Sequence, residues 1–373
     1  MTLEEKDIVE ALRPVEDPEL HRSIVDLGMV DVVDLSDPAK IDITIKLTIP
    51  GCPLKAEINN RVTQAVKPLA EGREITVLFG SMTDEERAAL SEQLGGGQVN
   101  AGKNNIREIP FAQPDSKTRV LLIASGKGGV GKSSVTTNLA VALSQRGKSV
   151  AVLDADVWGF SVPRMLGATQ DPTIIDEMII PPENHGVKCI SMGFFVEEDQ
   201  PVIWRGPMLH KALEQFLVDV FWDEPDFLIV DLPPGTGDIA LSIAQFLPTA
   251  ELFVVTTPQQ VAQQVAQRAA FMAHKVRTSV AGVIENMSWF TGDDGKRYEL
   301  FGDGGGKALS ELLDVPLLAQ VPLTVKLREG ADEGTPVALD SESEAGTIFA
   351  ELARTVDEDL APRKKFSAAL KVS

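Results

Sequence analysis

Short apolar runs that do not alternate with polar residues mark the chain from residue 119 onward. Five of them predict buried strands: RVLLIA at 119–124, SVAVLD at 149–154, FLIVDL at 227–232, LFVVTT at 252–257 and VAGVIE at 280–285. A loop or a helical pattern follows each run, which is typical of parallel strands whose two faces are both covered. The pattern therefore predicts a doubly wound parallel α/β sheet.

The first ninety residues follow a different pattern, in which apolar and polar positions alternate. In KIDITIKLTI, residues 40–49, isoleucine or leucine occupies every second position, so this run predicts a strand with one buried face. A shorter alternation recurs in EITVLF at 74–79, and apolar residues recur at helical spacing over 8–12 and 54–65. These patterns predict a small α/β domain over residues 1–92.

A stretch without periodic apolar residues separates the two patterns. GGGQVNAGKNN, residues 95–105, is rich in glycine and asparagine, and prolines follow it, so it predicts a linker over 93–117. We expect the large α/β domain over 118–358 and a separate tail over 359–373. Basic residues precede apolar ones in that tail, APRKKFSAALKV.

Composition adds limits on partners and location. The 373 residues carry a formal net charge of −20 and only 5% aromatic side chains, which opposes binding of nucleic acid or anionic lipid. The start of the sequence lacks the plan of a secretion signal, and no apolar run approaches the roughly 18 residues that span a membrane. Two cysteines give no disulfide framework. We therefore expect a cytoplasmic protein with no nucleic-acid partner and no stable membrane association.

The segment ASGKGGVGKSS, residues 124–134, lies between the first predicted buried strand and a helical pattern. Gly126-x4-Gly131-Lys132-Ser133 matches the phosphate-loop motif, in which glycines let backbone amides surround phosphate oxygens. The lysine of the motif reaches the β- and γ-phosphates, and the serine hydroxyl binds Mg²⁺. The predicted nucleotide contacts come from Gly126, Lys127, Gly128, Gly129, Val130, Gly131, Lys132, Ser133 and Ser134.

The phosphate-loop motif requires one lysine, which is Lys132, so Lys127 is an additional lysine in this loop. Its position near the start of the loop directs its side chain away from phosphates bound in the same subunit. We expect it to reach the γ-phosphate of a second subunit docked face to face, where it would neutralise charge as an arginine finger does. Lys127 and Lys132 are then both catalytic, and the protein is a homodimer. The alternative is a solvated surface lysine.

Three aspartates at the ends of predicted strands complete the predicted site. Asp154 and Asp156 follow one strand and Asp231 ends another, at the edge of a parallel sheet where ligands bind. We expect Asp156 to orient the attacking water, and Asp154 and Asp231 to hold Mg²⁺ together with Ser133. Ordinary strand-end caps are the alternative for Asp154 and Asp156.

The motif GKGGVGKSS resembles the deviant Walker A sequence of dimeric ATPases that include partition proteins, Min-type ATPases, the nitrogenase iron protein and the Mrp/ApbC family. DADVWGFSVPRMLG, RGPM, DLPPGTGD, ENMSWF and LREGADEGTP are similar to the Mrp/ApbC family in particular. This resemblance covers nearly the whole chain. It implies a P-loop ATPase that hydrolyses ATP with Mg²⁺ at a dimer interface and acts in iron–sulfur cluster assembly or transfer to apo-proteins. It also implies adenine contacts at Asn286 and Pro322.

The N-terminal segments DPELHRSIVDLGMV and TIPGCPLKAEI resemble the SufT/PaaD-like domain associated with iron–sulfur assembly. They single out Cys52 as a candidate thiol or cluster site, with a buried inert cysteine as the alternative. One family feature is missing. Mrp/ApbC proteins carry Cys-x-x-Cys shortly after ENMS, whereas this chain has WFTGDDGKRYELFG there and no cysteine after Cys189. The sequence therefore leaves open whether a cluster is bound.

Two other functions stay open on the sequence. The basic tail favours an ATPase of the Min or partition type, which binds membrane or DNA in its ATP-bound form. The third hypothesis is a nucleotide-dependent adaptor without hydrolysis, against which Asp154, Asp156 and Lys127 all argue.

Overall fold

Two compact units make up the chain in a computed structural model. The first contains Met1–Gly102 together with Thr173–Ile180, and the second contains Lys103–Pro172 and Pro181–Ser373. The structure describes residues 3–48, 54–95, 108–157, 159–195, 206–235, 237–259 and 278–360. The domain boundaries expected at residues 92, 117 and 358 stay predictions, and most of the expected linker lies outside the described residues.

The first unit is built on a three-stranded sheet in the order β1–β2–β3, in which β2 is antiparallel to β1 and parallel to β3. Its helices and strands are α1 (Glu5–Leu12), β1 (Val30–Asp34), β2 (Lys40–Leu47), α2 (Lys55–Val66), β3 (Glu74–Ser81) and α3 (Asp84–Gln93). The alternation predicted for β2 is confirmed, because Ile41, Ile43, Ile45 and Leu47 are all buried. The last position of that run, Ile49, lies outside the described residues.

A hairpin from much later in the chain also belongs to the first unit. It consists of β6 (Thr173–Ile175) and β7 (Met178–Ile180), which pair in antiparallel fashion. The Thr173 hydroxyl donates a hydrogen bond of 3.2 Å to Glu19, and β6 packs against α3. No pattern in the sequence predicted this placement, since each strand has only three residues.

The second unit is organised around an eight-stranded sheet in the order β15–β12–β11–β4–β10–β5–β9–β8. Its strands are β4 (Arg119–Ser125), β5 (Val150–Asp154), β8 (Glu183–Asn184), β9 (Val187–Ser191), β10 (Phe227–Asp231), β11 (Glu251–Thr256), β12 (Ser279–Asn286) and β15 (Leu317–Val321), with a separate pair, β13 (Phe290–Thr291) and β14 (Arg297–Tyr298). Its described helices are α4 (Lys132–Gln145), α5 (Val162–Leu166), α6 (Gly206–Val218), α7 (Asp238–Phe246), α8 (Gly305–Leu313), α9 (Val325–Glu333) and α10 (Glu344–Arg354).

The sheet confirms the predicted doubly wound α/β fold. All its strand pairs are parallel except that between β8 and β9 at one edge. Every residue of β5, β10 and β11 is buried, as expected of strands covered on both faces. The five predicted strands are all present in the central part of the sheet. The strands that the apolar pattern did not single out, β15, β9 and β8, lie on the two sides of this central part.

Parallel strands bring distant residues of the chain together at their carboxyl ends, which form one edge of this sheet. Ser125, Asp154, Asp231 and Asn286 each end a strand. In the strand register, Asp231 lies opposite Asp154 on one side. The helix α4 begins directly after the loop that follows β4, so its N-terminus lies at the same edge. This edge is where the predicted site residues converge.

Among the helices that the structure describes, none has the length and apolar character needed to cross a membrane. The basic tail on which the Min-type alternative rests, residues 361–373, lies outside the described part of the chain.

An ion pair fixes the opposite end of two central strands. Arg119 begins β4 and Glu251 begins the neighbouring strand β11, and the Arg119 Nη2 atom lies 2.6 Å from Glu251 Oε2. The guanidinium also donates to the carbonyl oxygen of Val356. Only 11% of the arginine side chain and 6% of the glutamate side chain are exposed. The pair therefore compensates charges that the sheet would otherwise bury at a large cost.

We predict that Arg119→Met lowers the free energy of unfolding by about 3 kcal/mol or more, because it removes the cation that offsets the buried Glu251 carboxylate. Urea unfolding at 25 °C measures this loss. The control is Lys326→Met, which breaks an ion pair with Asp340 whose side chains are 67% and 42% exposed. This control should cost far less than Arg119→Met, because water screens an exposed ion pair. Equal losses in the two variants would contradict the argument.

Candidate functional site

The phosphate loop has the backbone that its glycines allow. Gly129 and Gly131 adopt left-handed conformations with φ of 78° and 77°, and Gly131 is the N-cap of α4. The Ser125 hydroxyl donates to the carbonyl oxygen of Lys127 across 3.0 Å and fixes the start of the loop. The loop therefore delivers the unpaired N–H groups of a helix N-terminus to the edge of the sheet. Contact of these residues with phosphate stays a prediction.

Lys132 and Ser133 come together with Asp231 at the start of α4. The Lys132 ammonium lies 2.5 Å from Asp231 Oδ2, and the Ser133 hydroxyl donates to the same carboxylate oxygen across 2.6 Å. The Lys132 side chain is only 6% exposed and that of Asp231 is fully buried. The structure thus places three predicted site residues in one hydrogen-bonded cluster.

Thr136 belongs to this cluster although sequence reasoning missed it. Its hydroxyl lies 2.5 Å from Asp231 Oδ1 and 3.1 Å from the carbonyl oxygen of Lys132. Thr136 follows Lys132 by one helical turn, so both residues face β10. That i, i+4 spacing on the first turn of α4 is the signal that would have found it.

Asp154 and Asp156 occupy different positions. The Asp154 carboxylate is buried and accepts hydrogen bonds from the N–H of Asp156 (3.1 Å), the N–H of Val162 (3.3 Å) and the Ser191 hydroxyl (3.2 Å). The Asp156 carboxylate turns toward Lys132, whose ammonium lies 3.7 Å away. Asp154 therefore organises its own loop, whereas Asp156 faces the cluster. The predicted division of roles between these two aspartates stays a prediction.

Burial changes the acidity of two groups near the cluster. Burial and the negative charge of Asp231 raise the pKa of the Asp154 carboxyl to about 7. Burial, followed by the charges of Asp154 and Asp231, raises the pKa of the Cys189 thiol well above its usual value. Cys189 lies fully buried in β9, and its protonated thiol is a poor metal ligand.

Lys127 lies apart from the Lys132 cluster. Its side chain is half-buried, and its ammonium donates to Gln259 Oε1 across 3.1 Å within the same chain. Gln259 lies just beyond the end of β11. The separation of the two lysines agrees with different tasks for them, and the expected role of Lys127 in a second subunit stays a prediction.

The segments expected to contact adenine lie next to each other. The N–H of Ser288 donates to the carbonyl oxygen of Val321 across 3.0 Å, which joins the segment after Asn286 to the segment that contains Pro322. The Asn286 side chain is buried, and its Nδ2 atom donates to the carbonyl oxygen of Val130 across 3.0 Å. Contact of either residue with adenine stays a prediction.

The segment where related proteins carry Cys-x-x-Cys forms the short β13–β14 pair. Asp294 lies in its turn and accepts hydrogen bonds from the N–H of Lys296 (3.1 Å) and the Tyr298 hydroxyl (2.9 Å). These bonds lower the pKa of the Asp294 carboxyl. The segment is therefore an ordered, ionised turn without a thiol. The other candidate thiol, Cys52, lies outside the described residues.

The oxygen donors at the cluster and on the neighbouring strand suit Mg²⁺. Ser133 and Asp231 offer hydroxyl and carboxylate oxygens at the cluster, and Asp154, the third expected ligand, lies opposite Asp231 on β5. These are the ligands that this hard cation prefers. Within the described part of the chain, no three His, Cys, Asp or Glu side chains are grouped in a way that holds a metal. A magnesium ion here would therefore depend on the serine hydroxyl, on water and on phosphate oxygens as well as on the two carboxylates.

The raised pKa of Asp154 predicts that the contribution of this group to the stability of the protein falls as the pH rises from about 4 to about 7. The folded state holds this proton more tightly than the unfolded chain, whose carboxyl has the ordinary pKa of 3.8. Relative to a variant that lacks this carboxyl, the free energy of unfolding should fall by on the order of 1 kcal/mol per pH unit in this interval.

Urea unfolding at several pH values in EDTA measures this slope. In Asp154→Asn the side chain does not titrate, so the contribution of this group to the slope should disappear. Identical slopes in the wild type and the variant would show that Asp154 is ionised throughout the interval.

Both units of the chain match known protein families. A family model described as "NUBPL iron-transfer P-loop NTPase" matches residues 116–357, and one described as "Iron-sulfur cluster assembly protein" matches residues 5–79. A Mycobacterium tuberculosis (strain ATCC 25618 / H37Rv) protein named iron-sulfur cluster carrier protein is 50% identical over 343 residues, which is 90% of this chain and 88% of the relative.

Two solved structures resemble the second unit in fold. A nucleotide-binding protein from Archaeoglobus fulgidus in complex with ADP is 30% identical, with a TM-score of 0.53, over 63% of this chain and 95% of the other. The septum site-determining protein MinD from Pyrococcus horikoshii, complexed with Mg-ADP, is 26% identical, with a TM-score of 0.50, over 66% and 99% of the two chains. With its full-length relatives and its matching loop, the chain belongs to the family of iron-transfer P-loop NTPases of the ParA type, joined to an N-terminal iron–sulfur cluster assembly domain.

Proposed function

We propose that the protein is a homodimeric Mg-ATP hydrolase that carries iron–sulfur clusters to apo-proteins. The names of its full-length relatives support the carrier role, since the match extends over both units of the chain. The ADP and Mg-ADP held by the two solved neighbours support the choice of nucleotide. A Min-type function receives less support, because the likeness to MinD spans 66% of the chain.

The observation that carries the ATPase proposal is the ion pair between Lys132 and Asp231. A buried ammonium needs a negative partner, and Asp231 provides one at 2.5 Å. In the proposed complex, the phosphates of ATP replace this carboxylate as the partner of Lys132. Asp231 and Ser133 would then be available to hold Mg²⁺, and the Thr136 hydroxyl would keep one carboxylate oxygen of Asp231 fixed.

Hydrolysis in this proposal is shared among residues with separate tasks. Lys132 neutralises charge on the β- and γ-phosphates, and the loop N–H groups orient them. Bound Mg²⁺, held through Ser133, Asp154 and Asp231, supplies further charge neutralisation. Asp156 orients the attacking water. Lys127 leaves Gln259 and reaches the γ-phosphate of the partner subunit.

We predict that Lys132→Ala loses both ATP binding and turnover, whereas Lys127→Ala keeps ATP binding and loses most turnover. Removing a charge that acts only in the transition state typically lowers kcat by about 10²-fold or more. Steady-state phosphate release and equilibrium binding of a fluorescent ATP analogue measure the two effects.

A mixing experiment tests whether Lys127 acts across the dimer. Lys127→Ala and Asp156→Ala are each inactive alone, but a mixed dimer contains one site with both required residues. Random mixing should therefore restore about a quarter of the wild-type rate. If Lys127 acts within its own subunit, the mixture stays inactive. The absence of any recovery would therefore exclude the shared site.

The chain offers few cysteine side chains that could bind the proposed iron–sulfur cluster. Iron–sulfur clusters are usually held by four thiolates, and this chain has only Cys52 and Cys189. The Cys189 thiol is fully buried with a raised pKa, which leaves Cys52 as the ligand that each subunit offers. A dimer would then supply two thiolates, and the cysteines of a client or small thiols would complete the set. Incomplete ligation suits a carrier, because the client can take over the cluster.

We predict that anaerobic reconstitution with iron and sulfide yields a bound cluster that depends on Cys52. Cys52→Ser should abolish iron and sulfide retention and the visible absorption of the cluster. Cys189→Ala is the matched control, since it removes a buried protonated thiol and should leave cluster binding unchanged. Retention of the cluster by Cys52→Ser would overturn this assignment while leaving the ATPase proposal intact.

A further inference from the structure

We propose that a cleft between β15 and α10 binds the basic tail of the same chain, residues 361–373. The side chains that line the cleft belong to the second unit, whereas the tail lies outside the described residues. None of these side chains is among those assigned to nucleotide or metal. Binding of the tail therefore does not depend on the proposed function.

The cleft lies between an edge strand and a helix. Its volume is about 500 Å³, within the range of roughly 300–1,000 Å³ that is typical of ligand pockets. One wall comes from β15, which ends the described sheet and pairs there with β12. The other wall comes from α10, which packs against β15. The space is therefore large enough to hold several side chains of a bound segment.

The free edge of β15 favours a polypeptide as the occupant. Three consecutive residues of this strand, Leu318, Ala319 and Gln320, line the cleft. Successive side chains of a strand point to opposite faces, so the cleft extends around the edge of β15 as well as over one face. Backbone groups along such an edge pair with an added strand. An extended segment of protein chain is thus the ligand that suits this edge.

The walls of the cleft also offer apolar surface. Leu318 and Ala319 come from β15, and Ile348 comes from α10. All three pack against the core of the second unit but are only partly buried. A ligand with apolar side chains would remove this surface from water. The tail contains three apolar residues larger than alanine, which are Phe366, Leu370 and Val372.

Charge complementarity favours the tail over other segments. Glu344 and Glu351 line the cleft from α10. Arg297 also lines it, but its guanidinium lies 3.1 Å from Glu344 and 4.1 Å from the centroid of the Trp289 ring. The twenty residues before the tail include six acidic residues and one basic residue, whereas the thirteen residues of the tail include four basic residues and no acidic one. The tail therefore brings the charge that this wall attracts.

The tail begins at the end of the wall that it would cover. A π-helical turn, Thr355–Asp359, follows α10, and Leu360 then packs against the core of the second unit. Glu344 lies sixteen residues before Leu360, which is about 24 Å along a helix. Thirteen extended residues reach up to about 43 Å, which exceeds the length of this wall. A segment tethered at this range has an effective concentration of about 1 mM.

Hydrogen–deuterium exchange of β15 tests this contact in the full chain. The tail variant carries Arg363→Glu, Lys364→Glu and Lys365→Glu, and the cleft variant carries Glu351→Lys. In both variants we expect exchange about tenfold faster than in the wild type, because a tether at about 1 mM fills a site with a Kd of about 0.1 mM nine-tenths of the time. Glu311→Lys, exposed on α8, is the matched control and should leave exchange unchanged.

A fluorescent peptide with the tail sequence, APRKKFSAALKVS, tests whether the tail of the chain itself fills the cleft. Anisotropy should show that the tail variant binds this peptide about tenfold more tightly than the wild type, in which the native tail competes. Adding Glu351→Lys to the tail variant should weaken this binding, whereas adding Glu311→Lys should not. A peptide with Phe366→Ser and Leu370→Ser should bind more weakly as well.

Two results would each overturn the proposal: unchanged β15 exchange in the tail variant, and equal peptide affinity of the wild type and the tail variant. Protection of β15 that disappears on dilution would overturn it too, since the occupant would then be the tail of a second copy. Phosphatidylglycerol vesicles test the remaining occupant of the tail. Sedimentation of the wild type but not of the tail variant with these vesicles, with equal β15 exchange in both, would assign the tail to a membrane surface instead.

Discussion

The ion pair between Lys132 and Asp231 is the interaction on which the rest of the site depends. An isolated charge at this depth would cost several kcal/mol, so neither side chain is stable there without a partner of opposite sign. The pair joins the start of α4 to the end of β10 across 99 positions of the sequence. Ser133 and Thr136 then add hydroxyl groups to the same carboxylate. The first turn of the helix is thereby aligned with the end of the strand.

The surroundings of this pair contain more negative than positive charge. Asp154 and Asp156 follow the adjacent strand, and Lys132 is the cation that faces them in the described site. The fold compensates in part by retaining a proton on Asp154 near neutral pH. A proton and a divalent cation would compete for the same carboxylate, so the metal affinity and the pH response of the site are linked. The excess of carboxylates would therefore make metal binding at this site depend on pH as well as strengthen it.

The sequence predicted what is encoded locally. The apolar runs of β4, β5, β10, β11 and β12, the glycine-rich loop and the strand-end aspartates each carry their own signal. Contacts between residues distant along the chain carry no such signal. The spacing of Thr136 from Lys132 places both on one face of α4, but only the position of β10 beside that face brings Thr136 to Asp231. The bond from Asn286 to Val130 joins residues 156 positions apart. The position of Lys127 beside Gln259 was likewise beyond prediction, since Gln259 lies past the end of another strand.

The hairpin at Thr173–Ile180 has a consequence for how the protein can be divided. The backbone leaves one compact unit after Gly102, re-enters it for these eight residues and leaves it again. A shortened protein that begins at residue 103 would keep the hairpin but lose its neighbours. The hairpin would then expose an apolar surface that favours aggregation. This surface consists of Ile175, Met178 and Ile180, which are all buried in the intact chain. Removing the N-terminal segment of this P-loop NTPase would therefore also strip the packing from a hairpin in the middle of the chain.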